Sequence, residues 1–442
     1  MTKTASLLIL TFLTLTAVGR ATEHCETEIH GFITQGYLKS DRHDFIAETS
    51  DGTFQFNEMG LHFNKKLMPG LDASIQFFAY DFGPMGNDQI TINQASVTAY
   101  YNNFITLKAG KTKVCYGFYG DGRDMDMLRA FVFLPQGVYP EIYRETIQSA
   151  KGIEFYGSGY PEIIEALPPI GEFYYHFQYG AMDIPKDTGI SKVISMTMHT
   201  KANESSSKPA GNIVVGWEAP FPGFRLQGQC AKFNYHISGT TFDDSFWEAK
   251  KQEAIGSILA GIDEAYRDEL AHQITIANMP IFFSGELFLF IYGAEFTWSD
   301  LTLAAEGTLV KVEIDADVNY MAAGAQNTYP YLFKNDTLGY YAMGSYRFSD
   351  LIKMGIYYSV YYPNKDDRSM STGITIGAPD YFAWQKDSCM ALQFDLNDNA
   401  IFKIEGHYMD GCAQLAYMKP LKDYSETRRY WYLFAAKLSF SF

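Results

Sequence analysis

The sequence predicts an all-β fold, a transmembrane antiparallel β-barrel of about sixteen strands, with eighteen as the alternative count. Three observations carry the prediction. The chain opens on an apolar leader, it is rich in aromatics without a later apolar run of helix length, and it alternates strand pairs with short turns and long loops.

The leader comes first. Lys3 precedes an apolar run from Ala5 to Val18, and Gly19, Arg20 and Ala21 follow. A basic start, an apolar middle and small residues at the end make a secretory signal peptide. The run is too short for a comfortable membrane-spanning helix, and polar sequence follows at once. The expected division is residues 1–21 as a cleaved signal peptide and 22–442 as one barrel domain of an exported chain.

Composition needs a fold that exposes apolar side chains on purpose. The chain is 47% hydrophobic and 16% aromatic, with 32 Tyr and 34 Phe. That aromatic share is about twice ordinary usage. In a barrel each strand turns apolar side chains to lipid and polar ones to the lumen, and aromatics gather at the two interfaces. The formal charge is −16, and loss of Lys3 and Arg20 with the leader takes it to −18. Such a chain is not built to bind nucleic acid, whose phosphates call for a basic surface; acidic extracellular loops account for the charge. Cys25, Cys115, Cys230, Cys389 and Cys412 have no metal-ligand spacing. An oxidising compartment permits a disulfide among them, and no pair is singled out.

The strands show as pairs. Residues 286–298 and 301–311 are separated only by Ser299-Asp300, 337–348 and 351–362 by Ser349-Asp350, and 390–396 and 400–409 by Asn397-Asp398-Asn399. Met68-Pro69-Gly70 and Pro220-Phe221-Pro222-Gly223 supply the same turn chemistry earlier. Long segments at 111–149, 181–210, 239–284, 314–336, 364–387 and 411–429 separate the pairs. With a periplasmic N-terminus, the short turns face the periplasm and the long loops face outward. Alternating stretches near Ile190–Thr200 and His272–Phe283 are what would raise the count to eighteen. Within a strand the period is two: Phe402, Ile404 and Tyr408 alternate with Lys403, Glu405 and His407. One stretch departs from this. Trp247, Ala254, Ile255, Ile258, Leu259, Ile262 and Tyr266 have helical spacing behind a Ser245–Glu248 capping box. That helix, inside the 239–284 loop, is expected to pack over or into the barrel mouth.

The last strand carries a second signal. Phe434, Ala436, Leu438, Phe440 and Phe442 share one face, opposite Lys437, Ser439 and Ser441. The apolar face is a lipid-facing stripe, and Phe434, Leu438, Phe440 and Phe442 look like the terminal signal read by barrel-assembly machinery. Outer-membrane lipid and lipopolysaccharide are then the surroundings of the folded chain.

Three stretches resemble a family of Gram-negative outer-membrane porins related to the phosphate-selective porins. The first is Leu107-Lys108-Ala109-Gly110-Lys111-Thr112-Lys113, leading to Gly117-Phe118-Tyr119, Arg123-Asp124 and Leu134-Pro135-Gln136. The second is residues 403–411 with Ala413-Gln414-Leu415, and the third is residues 431–442. Cys115-Tyr116 and Ala130 depart from the pattern, which has Pro at two of these positions. The resemblance implies a homotrimer and a third loop, here 111–149, folded into the barrel as a constriction.

That loop carries Lys111, Lys113, Arg123, Arg129 and Arg144 against Asp121, Asp124, Asp126, Glu141 and Glu145. Facing charges at a constriction sort solutes by charge and dipole. Alternation sends Lys108, Arg225, Arg347, Lys353, Lys403 and Lys437 to the lumen, along with Glu58, Glu154, Glu306, Asp395 and Glu405. The expected pore-lining set is Lys108, Arg123, Arg129, Arg144, Arg225, Arg347, Lys353, Lys403, Glu405 and His407. Glu405 and His407 share a face, but spacing offers no third metal ligand. No metal, cofactor or catalytic motif is expected; neither a Gly-x-Ser-x-Gly elbow nor a His-Glu-x-x-His pair occurs. The expected function is passive diffusion of small hydrophilic solutes, anions among them, through the outer membrane of a Gram-negative bacterium. The alternative is a barrel plugged by the 239–284 loop and serving as an adhesin or structural surface protein.

Overall fold

A computed structural model describes residues 27–442 except 84, 87, 161–169, 244, 249–250, 252–273, 323, 370–378 and 416–425. The signal peptide, Cys25 and most of the expected 245–270 helix lie outside the described residues; 245–248 is helical.

The strands are β1 (Thr27–Ser40), β2 (Asn57–Met68), β3 (Leu71–Asp81), β4 (Thr91–Asn102), β5 (Ile105–Lys113) and β6 (Ser149–Gly159). They continue with β7 (Glu172–Met182), β8 (Thr200–Ser207), β9 (Pro209–Glu218), β10 (Phe224–Thr241), β11 (Pro280–Trp298) and β12 (Leu301–Ala322). The last five are β13 (Ala325–Arg347), β14 (Ile352–Tyr362), β15 (Gln385–Asn397), β16 (Ala400–Gly411) and β17 (Tyr430–Ser441). Each pairs antiparallel with its neighbours, and β1 lies between β17 and β2, which closes the sheet. β8 and β9 lie end to end along β10, β8 against 235–241 and β9 against 225–232. The seventeen segments therefore make sixteen barrel strands. A closed barrel leaves no strand edge and no unpaired backbone in lipid. Among the described residues no helix is long and apolar enough to cross a membrane.

The last strand shows how the wall is built. Phe434, Phe440 and Phe442 face outward at 43%, 49% and 63% exposure, whereas Trp431, Lys437 and Ser439 face inward at 1% or less. Leu438 shares the outward face. Phe442 exchanges backbone hydrogen bonds of 2.9 and 3.0 Å with Gly31, so the final residue completes the closure.

The long-loop rim differs from expectation in two places. Residues 314–336 are not a loop: β12 and β13 continue as a hairpin up to the Ala322–Ala325 pair. The physical reason is that the alternation inverts there. Below Leu309, β12 turns Leu303 outward and Glu306 inward. Above it, Lys311, Glu313, Asp315 and Asp317 face outward while Val318 and Ala316 are buried within. The same inversion occurs on β10, with Lys232 outside and Phe233, Tyr235 and Ile237 inside. Charges on the outer face cannot sit in hydrocarbon, so the wall leaves the lipid band at this level. Lys232–Glu286 and Glu313–Lys334 pair across its outer face at 2.8 and 2.9 Å.

The second difference is within 181–210: Ile190–Thr200 is mostly helix α1 (Gly189–Thr197), not a strand, and the expected loop gives way to β8 from Thr200. Ile190 and Ile194 are buried in one apolar cluster with Ala202, Ile237 and Phe283, and Val193, at helical spacing from them, is buried in another with Phe45 and Val132. The 280–283 stretch belongs to the long β11, so neither segment adds a strand.

Candidate functional site

The residues between β5 and β6 turn into the barrel. Their entry is held by amide side chains of the wall. Gln178 accepts from the Cys115 N–H at 3.0 Å, and Asn212 and Gln229 donate to the Cys115 carbonyl at 2.9 and 2.7 Å. Gly117 has φ +59, and a Cβ there would lie 2.3 Å from the Tyr139 hydroxyl and 2.7 Å from a Glu306 oxygen. Gly117→Ala should cost at least the roughly 1–2 kcal/mol of left-handed backbone, read as a lower unfolding temperature of the detergent-solubilised barrel.

Glu306 of β12 is the next anchor. It accepts from the Phe118 N–H at 2.8 Å, the Tyr341 hydroxyl at 2.6 Å and the Tyr139 hydroxyl. Beside it Tyr119 donates to Glu295, which pairs with Arg225 at 2.9 Å. Residues 130–142 are then buried without a break. Glu405 of β16 accepts from the Val132 and Phe133 N–H groups at 2.7 and 3.0 Å, and the Ser359 hydroxyl accepts from the Gly137 N–H at 3.0 Å. A Cβ on Gly339 of β13 would fall 1.8 Å from the Gly137 carbonyl, so the loop backbone lies directly on the wall. Phe133 stacks on Phe56 with ring centroids 5.2 Å apart, within an apolar cluster that includes Phe82 and Trp431.

A charge network secures the remaining side. Asp126 is 3.2 Å from Lys403, 3.4 Å from Lys437 and 3.3 Å from Arg129, and it accepts from Ser439 at 2.7 Å. Glu58 of β2 pairs with both Arg144 and Lys437. Arg123 pairs with Glu141 at 2.8 Å, and Lys113 with Asp124 at 2.7 Å. The loop is thus bonded to strands all round the barrel. Removing one member of such a buried set leaves an uncompensated charge, whereas the intact set holds one geometry.

Burial alone would raise the Asp124 and Asp126 carboxyls. Lys113 outweighs it for Asp124, and Lys403, Lys437 and Arg129 outweigh it for Asp126, so both sit below the usual range. A depressed folded pKa stabilises the fold fully above about pH 4, and that contribution is lost as pH falls through the folded value. Glu145 runs the opposite way, since burial raises it, and its protonation favours the folded loop. Loop attachment should therefore hold from neutral pH down to about pH 4 and weaken below it. Faster cleavage within 114–148 by pepsin at lower pH is the expected reading.

The structure places the ten expected pore residues in two groups. Arg123, Arg144, Lys403, Glu405 and His407 are at most 5% exposed. Arg144, Lys403 and Glu405 bond loop to wall, and Arg123 bonds Glu141 and the Tyr139 carbonyl within the loop. His407 bonds Asp387 and Glu405 on the wall, while Arg129 binds Asp126 and the Arg123 carbonyl. Lys108, Arg225, Arg347 and Lys353 are half-buried wall residues. Arg347 pairs with Asp395 at 2.5 Å and Arg225 with Glu295, while Lys108 and Lys353 have no ion-pair partner among the described residues. The wall carboxylates Glu58, Glu154, Glu306 and Glu405 are buried at 2–3% exposure and each has a partner. Tyr139, Tyr341 and Gln229 escaped the sequence reading because their spacing carries no signal; only strand register brings them to the loop. Cys115, Cys230, Cys389 and Cys412 are free thiols.

These features define a sixteen-stranded barrel of the outer-membrane porin fold with an infolded third loop. No protein-family model and no curated protein sequence matches the chain. Solved structures do resemble it. In-vitro folded OmpT of Vibrio cholerae, in a trimer form, is 11% identical with a TM-score of 0.51, over 95% of this chain and 100% of that one. The outer-membrane channel DcaP of Acinetobacter baumannii is 10% identical with a TM-score of 0.51, over 96% and 99%. Salmonella typhi OmpF in complex with daunomycin is 12% identical with a TM-score of 0.51, over 95% and 98%. At this identity the likeness is one of fold.

Proposed function

We propose that this chain is a porin of a Gram-negative outer membrane, exported by a cleaved signal peptide and conducting small hydrophilic solutes by passive diffusion. The observation that carries this is the loop itself: it enters the lumen, crosses it and is bonded to the wall, as a fixed constriction must be. Lys403, Glu405, His407, Arg123, Arg129 and Arg144 hold it, and Lys108, Arg225, Arg347 and Lys353 meet the solute. Of the ten expected pore residues, Lys108 and Lys353 are the two without an ion-pair partner among the described residues, and their charge favours anions. Phosphate and carboxylates are the chemistry that ammonium donors suit, in line with the resemblance to phosphate-selective porins. A homotrimer is part of the proposal, on the family resemblance and the trimer form of the similar OmpT. So are assembly through the Phe434, Leu438, Phe440 and Phe442 signal and a setting of lipid and lipopolysaccharide. No catalytic role is included.

Lys108→Glu with Lys353→Glu should lower the anion-to-cation permeability ratio several-fold while single-channel conductance persists. An unchanged reversal potential under a salt gradient rejects the assignment of these two lysines. One observation favours a second reading, a closed barrel with a structural or adhesive role: the unbroken burial of 130–142. A wild-type protein that inserts without conducting would establish it.

A further inference from the structure

Glu405 and His407 lie two residues apart on one face of β16, and strand register supplies what their spacing lacks. Cys389 of β15 is the cross-strand partner of His407. One donor atom from each of Cys389, Glu405 and His407 falls within 4.8 Å of the other two, and all three residues are buried. We propose that these residues form a binding site for a divalent transition metal of the zinc class, fastening the infolded loop to the wall.

The donor set fits that class. A thiolate, an imidazole and a carboxylate suit Zn²⁺, while Mg²⁺ and Ca²⁺ favour oxygen donors throughout. The outer partners fit as well. His407 Nδ1 lies 3.0 and 3.1 Å from the two oxygens of Asp387, and Asp387 accepts from the Tyr357 hydroxyl at 2.9 Å. A carboxylate on one imidazole nitrogen orients the other toward a metal. That other nitrogen, Nε2, faces a Glu405 oxygen at 2.9 Å. The Val132 and Phe133 N–H groups fix Glu405 in turn.

Charge points the same way. Asp387 and Glu405 are 3% and 2% exposed, and among the described residues His407 is the one cation within ion-pair distance of either. Lys403, the next inward basic residue on the strand, is engaged by Asp126. Two buried carboxylates thus face at most one positive charge, and buried charges are ordinarily paired or bound to metal. On binding, Cys389 loses its thiol proton, His407 Nε2 loses any proton it carries, and Sγ, Nε2 and a Glu405 oxygen bond the ion. Through Glu405 the metal would tie β15 and β16 to residues 132–133, which makes the loop's position metal-dependent.

The test is refolding of the full chain into detergent micelles with Co²⁺ present, so that access to a finished barrel does not limit loading. The expected result is one Co²⁺ per folded chain, with a near-ultraviolet thiolate-to-cobalt band that Zn²⁺ bleaches. Cys389→Ser should abolish the band with the barrel still showing its folded electrophoretic mobility, and Asp387→Asn should weaken affinity about 10–100-fold. Absence of the band in folded wild type overturns the proposal, and so does Co²⁺ binding that survives Cys389→Ser and His407→Gln unchanged. The wild-type spectrum decides even where a variant misfolds.

Discussion

Asp126→Asn should detach one side of the infolded loop and destabilise the barrel by about 3–5 kcal/mol. Asp126 is the only carboxylate within ion-pair distance of Lys403 among the described residues, and Lys437 and Arg129 lean on it as well. The amide keeps the shape and removes the charge, so buried Lys403 and Lys437 and half-buried Arg129 lose a partner, and among the described residues Lys437 alone retains another, in Glu58. Two readouts should move together: a lower midpoint in thermal unfolding, and a larger, noisier single-channel conductance as the loop leaves the wall. Lys403→Met combined with Asp126→Asn should cost less than the sum of the single changes, because the lysine change removes the charge that the loss of Asp126 orphans. Additive losses would mean that the pair is not coupled.

The second large effect is expected at Glu306. This side chain joins β12 to Phe118, Tyr139 and Tyr341 at once. Glu306→Ala leaves two tyrosine hydroxyls and one backbone N–H buried without their acceptor, at about 1–3 kcal/mol each. Glu306→Gln retains an acceptor and should lose much less. Tyr139→Phe should cost little by itself and should reduce the penalty of Glu306→Ala, since one stranded hydroxyl is then absent. Equal losses for the alanine and glutamine variants would mean that Glu306 fills space and does not anchor the loop.

The barrel was legible where lipid and lumen impose opposite chemistry on alternate residues. The 430–442 strand shows this best, with Phe434, Phe440 and Phe442 outside and Lys437 inside. Legibility failed where that contrast ends. On β12 above Leu309 the outer face turns charged and the inner face apolar, so 314–336 looked like a polar loop although its period of two continues. Helix α1 reads equally well as a further candidate strand because it is short, and only the burial of Ile190, Val193 and Ile194 separates the two periodicities.

The functional site was legible as chemistry and not as pairing. Alternation brought Lys108, Lys403, Glu306 and Glu405 to the lumen, and the loop's charges were visible as a balanced set. Nothing in sequence spacing joins Asp126 to Lys437 or Glu58 to Arg144, because those contacts follow from barrel closure and span up to 379 residues in the case of Lys437 and Glu58. Most of the charges expected to sort solutes are spent on holding the loop. Among the ten expected pore residues only Lys108 and Lys353 have no ion-pair partner within the described residues, a distinction that needs the fold. The third metal donor, Cys389, was hidden for the same reason, since only the register of β15 on β16 sets it beside His407.

A porin role requires the 114–148 loop to narrow the lumen without closing it. Single-channel recording across a planar bilayer under a salt gradient tests this, with wild type and Asp126→Asn measured side by side. Discrete wild-type openings with an anion-leaning reversal potential, and larger openings from the variant, are the predicted result. A silent wild type beside a conducting variant would contradict it, because the loop would then be a plug.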